Sequence, residues 1–123
     1  MDSLQVDGIN KELAKFELIG GILGVAVVDE NGLTIISRLQ RSIDERKFGA
    51  MAATIQGAME TAVIPLKEDL LNLTIEYENS QIIIMSFNTK IVLVILIEME
   101  VDLGFILLEM EEILKNINRI IEG

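Results

Sequence analysis

The chain of 123 residues carries 20 acidic against 10 basic side chains, a formal net charge of −10, and 50% of it is hydrophobic with only 4% aromatic, no cysteine and no histidine. That balance speaks against nucleic acid and anionic membrane as partners, and it removes disulfides, thiolate chemistry, the commonest general base and the commonest transition-metal ligand. The longest apolar run, IVLVILI at residues 91–97, is far short of the ~20 residues of a spanning helix, so no membrane insertion is expected, and the excess aliphatic surface is expected to be buried against another protein chain.

The opening MDSLQVDGINKELAK is polar and acidic from its second residue, so no signal peptide is expected and the protein is placed in the cytoplasm. Residues 1–123 read as one domain. Asp7 is a candidate cap for a first helix whose buried stripe is Ile9, Leu13 and Phe16, with Lys11, Glu12 and Lys15 facing water. The glycines of IGGILG end it. ILGVAVV then reads as a strand, DENG as a tight turn in which Asn31-Gly32 takes positive φ angles, and LTIIS as the returning strand.

After the polar RLQRS, Ser42 and Glu45 have the spacing of a capping box. The helix they open runs to about Ile64, where Pro65 disfavours continuation. NLTIEYE alternates, with Leu73, Ile75 and Tyr77 on one face and Thr74, Glu76 and Glu78 on the other, and reads as an edge strand. ENSQ and FNTK look like turns that set off IIIMSF and IVLVILI as strands four and five. Strand five is apolar at every position, so both faces of the sheet must be covered near it. Asp102 can cap a last helix with the stripe Leu103, Ile106, Leu107, Met110, Ile113, Leu114, Ile117 and Ile121. The expected fold is α+β: a five-stranded antiparallel sheet with the long middle helix on one face and the terminal helices on the other.

The middle helix raises a question of its own. Between residues 48 and 66 the only charge is Glu60, whereas a surface helix normally has a charged side. A helical wheel assigns Phe48, Met51, Ile55, Met59, Ala62, Val63 and Leu66 to the sheet. Opposite them Gly49, Ala53, Gly57 and Thr61 recur every four residues, with Ala50 and Thr54 alongside. Glycine inside a helix costs ~1 kcal/mol against alanine, and a stripe of small residues lets a second helix approach closely. Cover by another helix of the same chain is the alternative, but the terminal helices are needed on the other face of the sheet, so the expected occupant is the same helix of a second copy. The third strand would pair with its own copy in the same operation, placing Thr74 and Glu76 at the interface.

Gly20, Gly21 and Gly24 precede a strand and lack a following Lys-Ser or Lys-Thr, so they read as a turn and not as a phosphate loop. Glu76/Glu78 and Glu98/Glu100 are carboxylate pairs without a shaped loop, and read as solvated strand ends. No nucleophile–base pair and no metal or cofactor site is expected. Arg38, Arg41, Arg46 and Lys47 gather four of the ten cations into one segment. The three arginines are candidate contacts for a docking partner, and ordinary solvation outweighs a donated arginine finger.

These residues carry a resemblance. GVAVVDENGLTIIS resembles the hallmark hairpin of the roadblock family, the dynein light-chain roadblock type: an apolar strand, an acidic turn ending in Gly-Leu and a second strand closing in Ser. The element order, the small-residue middle helix and LGFILLEMEEIL are similar too. The resemblance implies a profilin-like three-layer sandwich in which middle helices pair across a homodimer and third strands join two sheets. It further implies a non-catalytic module that binds and regulates or scaffolds a small Ras-like GTPase, with no nucleotide or other cofactor held by the domain itself. The alternative role it implies is a structural assembly or cargo-adaptor subunit, indifferent to nucleotide state.

Overall fold

The computed structural model describes residues 1–88 and 90–123. Helix α1 (Ser3–Ala14) is opened by Asp2, whose carboxylate accepts from the Gln5 backbone N–H while the Gln5 side chain accepts from the Asp2 N–H, a reciprocal capping box. The expected cap Asp7 is corrected: it lies a turn inside the helix, because the Asp2/Gln5 pair already satisfies the open amides upstream. Ile9 and Leu13 are buried as expected, and a short 3₁₀ turn over Lys15–Leu18 brings Phe16 into the same core.

Strands β1 (Ile22–Asp29) and β2 (Thr34–Arg38) form the first hairpin. Its turn differs from the expected pair of positive φ angles, since only Gly32 adopts one, at +85°. The reason is Asp29, whose carboxylate accepts from the Asn31 and Leu33 amides while its carbonyl accepts from Gly32. That holds Asn31 in ordinary backbone and leaves one left-handed position, which glycine occupies without steric cost.

Helix α2 (Glu45–Ala62) is capped by Asp44, which accepts from the Lys47 amide. The expected Ser42/Glu45 box is therefore corrected: Glu45 is the first helical residue, too early in the helix to be its third. A 3₁₀ turn over Ile64–Leu66 holds Pro65 and ends at Lys67, which has φ +56°. Strands β3 (Leu73–Glu76), β4 (Ser80–Phe87) and β5 (Ile91–Glu98) follow, and helix α3 (Leu103–Glu122) starts at the expected cap Asp102, which accepts from Phe105 N–H. The expected FNTK turn includes Thr89, which lies outside the described residues.

The strand order is β2-β1-β5-β4-β3, with every neighbouring pair antiparallel. β5 is central and its residues 91–95 and 97 are buried, as a strand apolar on both faces requires. One core joins Ile9, Leu13 and Phe16 to Ile106, Met110, Ile113 and Ile117 over Val25, Val27, Leu93 and Ile95. The other packs Phe48 and Ala52 of α2 on Ala26, Val28, Ile82, Ile84, Val92 and Val94. The architecture is thus the expected one: α2 covers one face of the sheet, and α1 with α3 covers the other. α1 and α3 are clamped together where the Gln5 amide donates to the carbonyls of Ile120 and Ile121 and Gly8 lies against the Ile120 side chain.

Candidate functional site: the outer side of α2 and the sheet edge

A spacing of four residues drifts by about 40° around a helix at each step. From Gly49 to Thr61 that amounts to about a third of a turn, and the structure shows the consequence. Gly49 is buried. A Cβ on it would lie 2.4 Å from Thr34 Oγ1 and 3.5 Å from Val28 Cγ2. Its missing side chain is accounted for inside the chain, by the close approach of α2 to the first hairpin, and the expectation that Gly49 faces outward is corrected. Ala53 is half-buried on the same flank and packs with the α2 core. Ala50, Thr54, Gly57, Ala58 and Thr61 are exposed, and a Cβ at Gly57 would touch nothing within 4 Å. Thr61 directs its hydroxyl back to the Gly57 carbonyl at 3.1 Å, which leaves its methyl group to the outer surface.

The sheet-facing arc is rotated to match. Phe48, Gly49, Ala52 and Gln56 are the buried positions of α2. Met51 and Ile55 are half-buried, Met59 is 38% exposed, and Ala62 and Leu66 are exposed. Met51 and Ile55 still pack against the core between α2 and the sheet, as the wheel suggested, whereas Met59, Ala62 and Leu66 are not part of it. At the start of α2 an open groove of about 430 Å³ is lined by Ile43, Asp44, Lys47, Phe48 and Met51 together with Tyr77, Ser80, Ile82 and Leu96. β3 hydrogen-bonds to β4 alone among the described residues, so its other edge is unpaired, and Thr74 and Glu76 on it are exposed. The small outer residues of α2, this groove and the free edge of β3 are thus surfaces left open within the chain.

The arginines do not form one patch. Arg38 projects to the α1 side of the sheet, where its guanidinium donates to Asn10 Oδ1 at 3.1 and 2.9 Å and pairs with Glu17. This internal tie runs contrary to its reading as a docking residue. Arg41 and Arg46 are exposed at the entry to α2 and make no ion pair among the described residues. Glu76, Glu78, Glu98 and Glu100 are exposed, and no three metal-ligating side chains converge among the described residues.

One residue escaped the sequence reading. Gln56 is only 3% exposed, and its Oε1 has no hydrogen-bond partner among the described residues; Ser86 Oγ on β4 is likewise buried and unpartnered among them. The signal was available, because Gln56 falls on the wheel within about 40° of Ala52, well inside the true sheet-facing arc.

Comparison with known proteins agrees with this architecture. The chain is 36% identical over 107 residues to the uncharacterized protein MJ0310 of Methanocaldococcus jannaschii, an alignment covering 86% of this chain and 90% of the relative. The solved structure of Myxococcus xanthus MglB superposes with a TM-score of 0.89 at 22% identity, covering 99% of this chain and 93% of that one. A further MglB structure, described as having a tetrameric arrangement, gives 0.87 at 13% identity, with 99% and 93% covered. Profilin II of Acanthamoeba castellanii gives 0.56 at 15% identity, with 90% and 94% covered, which places the sheet and helices in the profilin-like class. No helix among the described residues is long and apolar enough to cross a membrane. The Roadblock/LC7 domain family model matches residues 9–97, nearly three quarters of the sequence and including the first hairpin, all of α2 and most of the sheet, so the chain belongs to the Roadblock/LC7 family.

Proposed function

We propose that this chain is a homodimeric, non-catalytic interaction module of the cytoplasm that binds a small Ras-like GTPase and regulates or scaffolds it. The observation that carries the dimer is the uncharged, exposed outer side of α2, and the unpaired edge of β3 is a second surface open to the same partner. A two-fold axis along this side lets α2 meet its own copy. Ala50, Gly57 and Ala58 permit close axes at the short end of the usual 8–10 Å range, while Met51 offers the groove a thioether side chain that adapts to shape. The two β3 edges then pair antiparallel, so that Thr74 and Glu76 face their counterparts and neither edge is left as an aggregation template.

Membership of the Roadblock/LC7 family supports the GTPase as partner, as do the exposed Arg41 and Arg46, the local exception on an acidic surface. The mechanism is selective binding: a module that holds one switch conformation of the GTPase more tightly shifts its population towards that state. Affinity capture from native cytosol with the GTPases loaded with either GDP or a non-hydrolysable GTP analogue tests this. A Ras-like protein retained preferentially in one state is the expected result, and recovery of none in either state contradicts it. Equal retention in both states points to the scaffold role, because a binder without differential affinity shifts nothing.

A further inference from the structure

The turn of the first hairpin holds the only Asn-Gly pair of the sequence, Asn31-Gly32. Asparagine is chemically labile because the backbone nitrogen that follows it can attack its side-chain carbonyl carbon. Glycine in the following position, having no Cβ, hinders that attack least. The attack forms a bond between Gly32 N and Asn31 Cγ and closes a five-membered succinimide. The Asn31 Cγ–Nδ2 bond breaks, the Gly32 amide proton passes through solvent to the departing nitrogen, and ammonia leaves. Water then opens the ring at either carbonyl. One product is aspartate; the other is isoaspartate, in which the main chain runs through the former side chain and is one carbon longer.

The fold exposes this pair and at the same time restrains it. Asn31 is exposed at the tip of the hairpin. The attacking nitrogen is not free, since Gly32 N–H donates to the Asp29 carbonyl at 3.0 Å. Asp29 Oδ1 braces the residues on either side, accepting from the Asn31 and Leu33 amides at 2.9 and 3.0 Å. A nitrogen whose proton is held in a hydrogen bond must give up that bond before it can be deprotonated and attack. The turn is also seated on α2. A Cβ on Gly32 would lie 3.3 Å from Ala50 Cα and 3.8 Å from Ala53 Cβ, and a Cβ on Gly49 would lie 3.4 Å from the Gly32 carbonyl oxygen. An extra main-chain carbon directly before Gly32 has no slack to enter there, so the turn or α2 must shift. We propose that Asn31 is a site of spontaneous deamidation held back by the Asp29-braced turn, and that isoaspartate at this position unseats the first hairpin from α2.

Peptide-mapping mass spectrometry during incubation at mildly alkaline pH tests this on the folded protein and on the free peptide VVDENGLTI, residues 27–35. The peptide should convert at Asn31 to both acids. The folded parent should convert about tenfold more slowly, the factor that one turn hydrogen bond supplies. Asp29→Ala, with the parent's circular dichroism, should convert several times faster than the parent. Asp29→Asn keeps an acceptor for the same two amides and should stay close to the parent. If Asp29→Ala fails to fold, the comparison of parent with peptide still decides whether the turn restrains the reaction. The isoaspartate form, enriched by ion exchange, should unfold at lower urea concentration than Asn31→Asp, which adds the charge without the extra carbon; protein concentration is held fixed. An inert peptide, a folded parent as reactive as the peptide, a folded Asp29→Ala no faster than the parent, or an isoaspartate form as stable as Asn31→Asp overturns the proposal. None of these readouts depends on whether a GTPase binds.

Discussion

Replacing Gly49 by alanine pits helix propensity against close packing, and the geometry decides the sign. In an exposed helix interior the change would stabilise by ~1 kcal/mol. Here the new Cβ falls 2.4 Å from Thr34 Oγ1, with the Gly32 carbonyl at 3.4 Å and Val28 Cγ2 at 3.5 Å. Thr34 must leave its rotamer and give up its 3.3 Å hydrogen bond to the Glu45 carbonyl, or α2 must lift from the hairpin. Overpacking of this kind costs ~1–3 kcal/mol, so Gly49→Ala should destabilise by about 1 kcal/mol net. Urea unfolding at fixed protein concentration reads this directly. The double variant with Thr34→Ala removes the obstructing oxygen and should recover most of the loss, a coupling that a thermodynamic cycle isolates. A single variant as stable as the parent would refute the account of why glycine stands at position 49.

Three further outcomes follow from the fold. Asp44→Ala should cost about 1 kcal/mol through loss of the α2 cap, while Ser42→Ala should stay within about 0.5 kcal/mol; thermal denaturation of the two variants distinguishes the caps. Ile113→Ala, deep in the α1–α3 core, should cost roughly 2–5 kcal/mol by leaving a cavity, measurable by denaturant unfolding. Arg41→Ala and Arg46→Ala should leave the melting temperature unchanged and slow association with a captured GTPase, most visibly at low salt.

The fold was legible in the sequence because its main signals are periodic. Uninterrupted apolarity at 91–97 specifies a central strand, and a stripe such as Ile106, Met110, Ile113 and Ile117 specifies one buried helix face. Caps were less legible. Asp2 and Asp7, or Ser42 and Asp44, offer near-equivalent chemistry a few residues apart, and tertiary fit chooses between them. The candidate surface was read partly wrongly for a geometric reason. Four-residue spacing is not helical periodicity, so Gly49 and Gly57, which look like one stripe, serve different neighbours: the first hairpin for one and open space for the other. The burial of Gln56 was legible from its position one turn after Ala52, but the lack of a donor for its oxygen among the described residues depends on tertiary packing and was not.

The central claim, that the outer side of α2 is reserved for a second copy, is tested most directly by sedimentation equilibrium on the wild type and on Gly57→Leu. Position 57 has room for a leucine in the isolated chain, so the variant should fold with the parent's circular dichroism. The account predicts a wild-type species of at least twice the 13.7 kDa chain mass and a variant that dissociates at markedly higher concentration. A monomeric wild type, or a folded variant that associates as tightly as its parent, would contradict it.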